Sequence, residues 1–224
     1  YSGTLVNALT YYLRKNSGDD EAYPFLVHRI DKDTTGIMVI AKDELTQSRL
    51  GKIFFDHDIE RKYVALVWGD VKNQEGTITG NIIRSPKDRK VFTVTEDETK
   101  GKHAVTHYKV LKKFRYVTLI ECQLETGRTH QIRVHFKYIG HPLFNDATYG
   151  GDAILKGTTF SKYKQFVENC FKLLPRQALH AKSLGFKHPE TGEELMIDSN
   201  LPQDFQMTLD KWEKYTRYNP DVNP

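Results

Sequence analysis

Apolar positions along the chain recur mainly at a spacing of two, the period of a strand, interrupted by a few stretches at helical spacing. Leu5, Ala8, Leu9 and Tyr12 share one helical face, which predicts a helix over residues 3–13 that the loop formers at 16–18 bring to an end. Residues 23–30 and 36–41 are β-branched and aromatic runs on either side of a polar loop at 31–35, and read as strand, turn, strand. A helix is predicted over 43–55, from Leu45, Ser48, Leu50 and Ile53, followed by a strand over 61–68 that Gly69 closes. Further strands are expected at 76–83, 90–94, 103–114 and 116–124, separated by short polar connections such as 95–102. The period then changes. Ile132, Phe136 and Ile139 fall on one face of a helix over 128–139, with Thr129 placed to cap its start and Gly140 and Pro142 to stop it. A helix over 162–171, strands at 177–186 and 194–197 around a turn at 189–192, and a last helix over 202–215 complete the pattern.

Strands follow strands without regular alternation with helices, so a doubly wound or barrel-type parallel sheet is disfavoured and an α+β fold is expected. With 224 residues there is room for one sizeable domain, and 38% hydrophobic residues against 28% charged exclude wholesale disorder. The most apolar runs, at 37–41 and 63–68, are strand-sized, far short of the roughly 18 residues of a membrane span. Cys122 and Cys170 are far apart and outside any CxxC pair, so no disulfide framework or thiolate zinc site is expected, and a reducing, cytoplasmic setting is. A net charge of +4 is compatible with a polyanionic partner. Tyr1 is not an initiator methionine and no charged-then-apolar leader follows it, so upstream residues are expected and a secretory signal is not.

Chemistry is concentrated in two stretches. His28-Arg29-Ile30-Asp31-Lys32-Asp33-Thr34-Thr35-Gly36 sets a cation, carboxylates and hydroxyls between two apolar runs. One reading is an Asx or Ser/Thr turn made by Asp31 and Thr34, with Gly36 supplying a positive φ. The other is a reactive carboxylate, and it needs a partner. Gly127-Arg128-Thr129-His130-Gln131-Ile132-Arg133-Val134-His135 lies at a predicted helix start, where backbone N–H groups already favour an anion. A solvated helix end is its alternative. His130 and His135 are badly spaced for a shared metal, and no carboxylate or cysteine completes a site with them or with His103 and His107, so metal binding is not expected.

Together these stretches resemble the pseudouridine synthases, specifically the RluA-like family. The family's HRLDxxTSG loop corresponds to His28 through Gly36, with Ile for Leu and Thr for Ser. Its KxYxAxVxG strand corresponds to Lys62-Tyr63-Val64-Ala65-Leu66-Val67-Trp68-Gly69 with altered spacing, and GRTHQIRVH stands complete from Gly127 to His135. Gly140-His141-Pro142-Leu143, the stretch from Asp146 to Gly150 and Leu179-His180-Ala181 also match, so nearly the whole chain is covered in the family's order.

The resemblance implies isomerisation of specific uridines to pseudouridine in structured RNA, 23S ribosomal RNA first and transfer RNA second, without cofactor or metal, by a monomer. Residues 1–224 would form one catalytic domain on a mixed, largely antiparallel bent sheet flanked by helices, lacking the small upstream S4 domain of many relatives. Asp31 is implied as the essential carboxylate, nucleophile or base, and Arg133 as the cation that favours its ionised form. Tyr63 would stack on the flipped uracil and assist proton loss from C5, and Arg29 would enter the RNA stack the uridine has left. Leu179 would pack near the base, and His28, Arg128 and Thr35 are further expected RNA contacts. Basic residues outside the signatures, Arg84, Lys87, Arg89 and Lys90 in one hairpin and Lys109, Lys112, Lys113 and Arg115 in another, are candidates for phosphate contacts. Two other classes compete: an RNA-binding module without catalysis, and a glycoside hydrolase using Asp31 and Asp33 as its carboxylate pair.

Overall fold

The structure, a computed structural model, describes residues 3–218. Helix α1 (Leu5–Ser17) is closed at its start by a capping box, in which Thr4 and Asn7 exchange side-chain and backbone hydrogen bonds, and at its end by Gly18 in the left-handed region at φ 70°. It buries no residue of its own. Two-residue strands β1 (Phe25–Leu26), β2 (Thr35–Gly36) and β3 (Ile40–Ala41) then lead to α2 (Glu44–Phe55), capped by Asp43. A long meander follows: β4 (Glu60–Trp68), β5 (Glu75–Arg84), β6 (Phe92–Thr95), β7 (Lys102–Lys113) and β8 (Val117–Leu124). Helices α3 (Gln131–Tyr138) and α4 (Ser161–Leu173), strands β9 (Leu179–Lys187) and β10 (Glu194–Asp198) and helix α5 (Gln203–Tyr218) end the described chain. No helix among the described residues is long and apolar enough to cross a membrane.

The main sheet has the order β10-β9-β4-β8-β7-β5-β6. Every pairing in that path is antiparallel, and the parallel addition of β2 to β9 makes the sheet mixed, as expected for this α+β fold. Strand β4 lies near its middle and is covered on both faces, which is why its sequence runs continuously apolar instead of alternating. Val64, Leu66 and Trp68 pack beneath α4 and α5 with Tyr163, Val167, Phe205 and Trp212. Ala65 and Val67 cluster with Ile132 and Phe136 of α3 on the other side, with Leu179 buried among them and Tyr63 packed against the cluster. Each such fully buried large side chain contributes about 1.5–3 kcal/mol through the area it removes from water.

The region before α2 departs from the expected pair of strands at 23–30 and 36–41. Only Phe25–Leu26 remains of the first, and the second is split, β3 pairing with β1 and β2 with β9. The cause is local: Val39 donates its N–H to Nε2 of His28 at 2.9 Å, and Ile37 donates to the Ala181 carbonyl at 3.0 Å, so backbone groups between β2 and β3 are already engaged. Gly36 makes the junction possible. Its φ is +115°, and a Cβ there would stand 2.2 Å from the Ala181 carbonyl oxygen. Gly36→Ala is therefore expected to destabilise the fold by about 3 kcal/mol, a value set by backbone strain plus a clash that no flexible side chain can relieve. Urea unfolding measures it, and an unchanged midpoint would contradict the fit of β2 to β9.

Candidate active site

A cleft of about 590 Å³ opens where the segment after β1, the end of α2, one face of β4 and the loop leading into α3 converge. Asp31 lies in its wall, 19% exposed. Thr34 donates its N–H to the main-chain carbonyl of Asp31 at 3.0 Å, so the turn is closed by backbone and the carboxylate is left for another partner. Gln177 fixes the turn from behind, its amide donating to the Lys32 carbonyl at 2.7 Å and to Thr34 Oγ1 at 3.2 Å. The partner of the carboxylate is Arg133, whose Nη1 stands 3.4 Å from Asp31 Oδ2.

Arg133 is itself immobilised. Its Nε and Nη2 form a fork on Asp146 at 2.7 and 2.8 Å, and the Tyr149 ring lies under the guanidinium at 5.0 Å. Asp146 is fully buried and also accepts the N–H groups of Thr148 and Tyr149. Burial alone would lower the Arg133 pKa, but the hydrogen bond and charge of Asp146, followed by the charge of Asp31, hold it above its ordinary value. A fixed cation thus stands behind the one carboxylate lining the cleft among the described residues.

Tyr63, Leu179 and Ile132 also line the cleft. Burial raises the Tyr63 phenol, with Arg61 opposing and Asp31 adding to the rise. His28, Arg29 and Arg128 also line the cleft. The His28 ring stacks on Phe54 at 4.5 Å while accepting from Val39, and Arg128 Nε donates to the His103 carbonyl at 2.9 Å. Arg29 is exposed. Thr35 is outside the lining: its hydroxyl is 2.9 Å from Nδ1 of His180, on the β9 side. Asp33 is exposed at φ 68° and likewise outside the lining, so the carboxylate pair that a glycoside hydrolase reading requires is not assembled.

Thr129 does not cap α3. The helix starts at Gln131 after His130 in the left-handed region at φ 56°, with no side-chain cap bond. Gln131 does the tethering instead, accepting from Thr126 and the Arg128 N–H and donating to Val105 and Thr106. Four functional or supporting residues were outside the sequence-based site: Asp146, Gln177, Gln131 and Arg61. The last had a signal, because Arg61 and Tyr63 are i and i+2 on one strand and so share a face. Arg61 lines the cleft, whereas Lys62 pairs with Glu60 at 3.0 Å and does not. In the two basic hairpins, Lys112 and Lys113 are paired with Glu213 and Asp70, while Arg84 lies over the Phe92 ring.

Two histidines make the fold sensitive to pH, the half-buried His28 of the cleft and the fully buried His135 of α3. Burial, then the charge of Arg61, lowers His28 to about 4, and burial, then His103, does the same for the fully buried His135. Both are depressed in the folded state, so their stabilising contribution is complete above the unfolded value near 6.5 and is lost as pH falls through that value toward about 4. For His135 this amounts to about 3 kcal/mol. His135→Gln is expected to remove about one proton from the pH slope of urea stability across that window. A slope identical to the parent's would show that His135 charges freely in the fold.

The RNA pseudouridylate synthase family model matches residues 6–138. A Chlorobaculum parvum protein named an uncharacterized RNA pseudouridine synthase is 43% identical over 215 residues, covering 94% of this chain and 65% of that protein. The ribosomal large subunit pseudouridine synthase D of Zymomonas mobilis is 42% identical over 214 residues, covering 92% and 62%. The chain thus spans just under two thirds of the length of these relatives. Among solved structures, human RNA pseudouridylate synthase domain containing 4 superposes with a TM-score of 0.73 at 24% identity, covering 95% of this chain and 85% of that one, a likeness of fold.

Proposed function

The chain belongs to the RNA pseudouridylate synthase family, and on that premise we propose that it isomerises uridine to pseudouridine in structured RNA, with Asp31 as the essential carboxylate. The observation that carries this reading is the Asp31 carboxylate in the wall of the cleft, paired with Arg133, in a cleft that Tyr63 and Leu179 also line. In the reaction the N1–C1′ bond breaks, the uracil turns, C5 bonds to C1′, and the C5 proton leaves as N1 gains one. No atom is added or lost, which suits a cleft that positions and desolvates a base. Asp31 serves at the sugar or the base as its ionised form. Tyr63 and Leu179 hold the uracil by stacking and apolar contact, each stacked base being worth about 1–3 kcal/mol. The raised Tyr63 phenol stays protonated at neutral pH, which favours stacking over removal of the C5 proton as its main role.

Extrusion of the uridine costs a few kcal/mol, so targets in loops or bulges bind more readily than paired ones. Arg29, exposed at the rim, fits the role of filling the vacated stack. The names of the relatives favour large-subunit ribosomal RNA over transfer RNA as substrate. The test is tritium release from uridine C5 of unmodified transcripts of each RNA. Release from the ribosomal transcript supports both reaction and substrate, release from transfer RNA alone redirects the substrate, and RNA binding without release from either favours the non-catalytic module.

A further inference from the structure

Two arginines are buried at the cleft, and they are satisfied differently. Arg133 is shared between two carboxylates. Arg61 is 9% exposed, its Nε and Nη2 are enclosed without any hydrogen-bond partner, and no acidic side chain pairs with it among the described residues. Its guanidinium carbon lies 5.9 Å from the Phe54 ring centroid, and its Nη1 faces Gly127, where a Cβ would come within 2.8 Å. A buried cation without a counter-charge is among the more expensive features a fold can carry, several kcal/mol after relaxation, and apolar groups of similar size are usually at least as stable. Arg61 therefore destabilises the empty protein, and a ligand that brings an acceptor relieves it.

We propose that Arg61 is the phosphate receptor of the cleft, donating to the non-bridging oxygens of a backbone phosphate next to the flipped uridine. The inference deepens the RNA-modifying reading and rests on it. A guanidinium offers donors only, whereas the Watson–Crick edge of uracil alternates carbonyl acceptors with an N–H donor, so a base edge leaves part of the fork unpaired. A phosphate presents two acceptor oxygens and a full negative charge, the geometry a guanidinium matches best. The position agrees: Arg61 lines the cleft together with His28, Arg29 and Arg128, and it stands two residues before Tyr63 on the same strand, so a phosphate held there is next to the base that Tyr63 stacks on. Gly127 packs against Nη1, where a Cβ would not fit, and so holds the guanidinium in place.

The test uses protein carrying Asp31→Asn, so that no turnover intervenes, and a single-stranded RNA of about twelve nucleotides, within the usual site size, containing one uridine. A second strand carries neutral methylphosphonate linkages on either side of that uridine. With Arg61 present, the neutral linkages are expected to weaken binding about tenfold, and Arg61→Met to weaken binding of the normal strand by a similar factor. Combined, the two changes should cost little more than either alone, and Arg61→Lys should fall in between. Arg61→Met should unfold at the same urea concentration as its parent or higher, because no counter-charge or hydrogen bond of Nε and Nη2 is lost and a methionine side chain keeps the contact with the Phe54 ring. Equal affinity of the parent for both strands, an equal linkage effect in the parent and Arg61→Met, or a lower urea midpoint of Arg61→Met with binding intact, would each overturn the proposal. Tritium release by wild-type protein is read separately, so a non-catalytic RNA binder passes the first experiment and fails the second.

Discussion

Asp31→Asn is expected to lower tritium release from uridine C5 by about 10³-fold or more, the upper range for loss of a positioned acid-base or nucleophilic group, while RNA affinity changes little. The substitution is nearly isosteric and leaves the turn alone, because Asp31 closes that turn through its main-chain carbonyl. The amide oxygen still accepts from Arg133 Nη1, now without charge. Arg133 keeps its position through the fork on Asp146, so the cleft retains its shape and only the reactive anion is removed. Stability should stay within about 1 kcal/mol of the parent, as for a substitution at a partly exposed site with its hydrogen bond preserved. Retention of a tenth or more of the parental release would end the assignment of Asp31. Loss of release together with loss of RNA binding would instead point to a disturbed cleft, and the urea midpoint decides between them.

What the sequence disclosed and what it withheld follow from the range of the interactions involved. The strands of the meander and the two covering helices α4 and α5 were legible because their periodicity is local and strong. The loop around Asp31 was legible as chemistry, since a carboxylate, a cation and hydroxyls stand in a row between apolar runs. Its conformation was not, because Gly36 is dictated by Ala181 and Thr34 by Gln177, more than 140 positions away. Asp146 was visible only as part of a matching stretch, since nothing near it in the chain shows that its carboxylate turns inward to Arg133. Local spacing suggested Thr129 as a cap, but the loop before α3 is held by contacts of Gln131 to β7, which removes the need for one. Arg61 was masked by Lys62 beside it, and only strand alternation separates the residue facing the cleft from the one paired with Glu60.

The second large effect is expected at Asp146. Its carboxylate is completely buried, accepts from two guanidinium nitrogens and two backbone N–H groups, and supplies the charge that keeps Arg133 tolerable in the interior. Asp146→Asn puts an amide N–H against a donor and leaves the cation with the longer contact to Asp31 alone. Breaking one side of such a pair costs about 3–5 kcal/mol, because the remaining charge stays buried. Arg133 should then shift toward Asp31, and tritium release should fall with stability. These two losses can be separated. Asp146→Leu combined with Arg133→Met replaces the pair by apolar groups of similar volume, which is often neutral for stability, so most of the lost 3–5 kcal/mol should return. Activity should not return, because Asp31 has lost the cation behind it. Urea unfolding and tritium release measured on the single and double variants read the two effects apart. A double variant that regains both would reduce the Arg133–Asp146 pair to packing and detach it from the chemistry of Asp31.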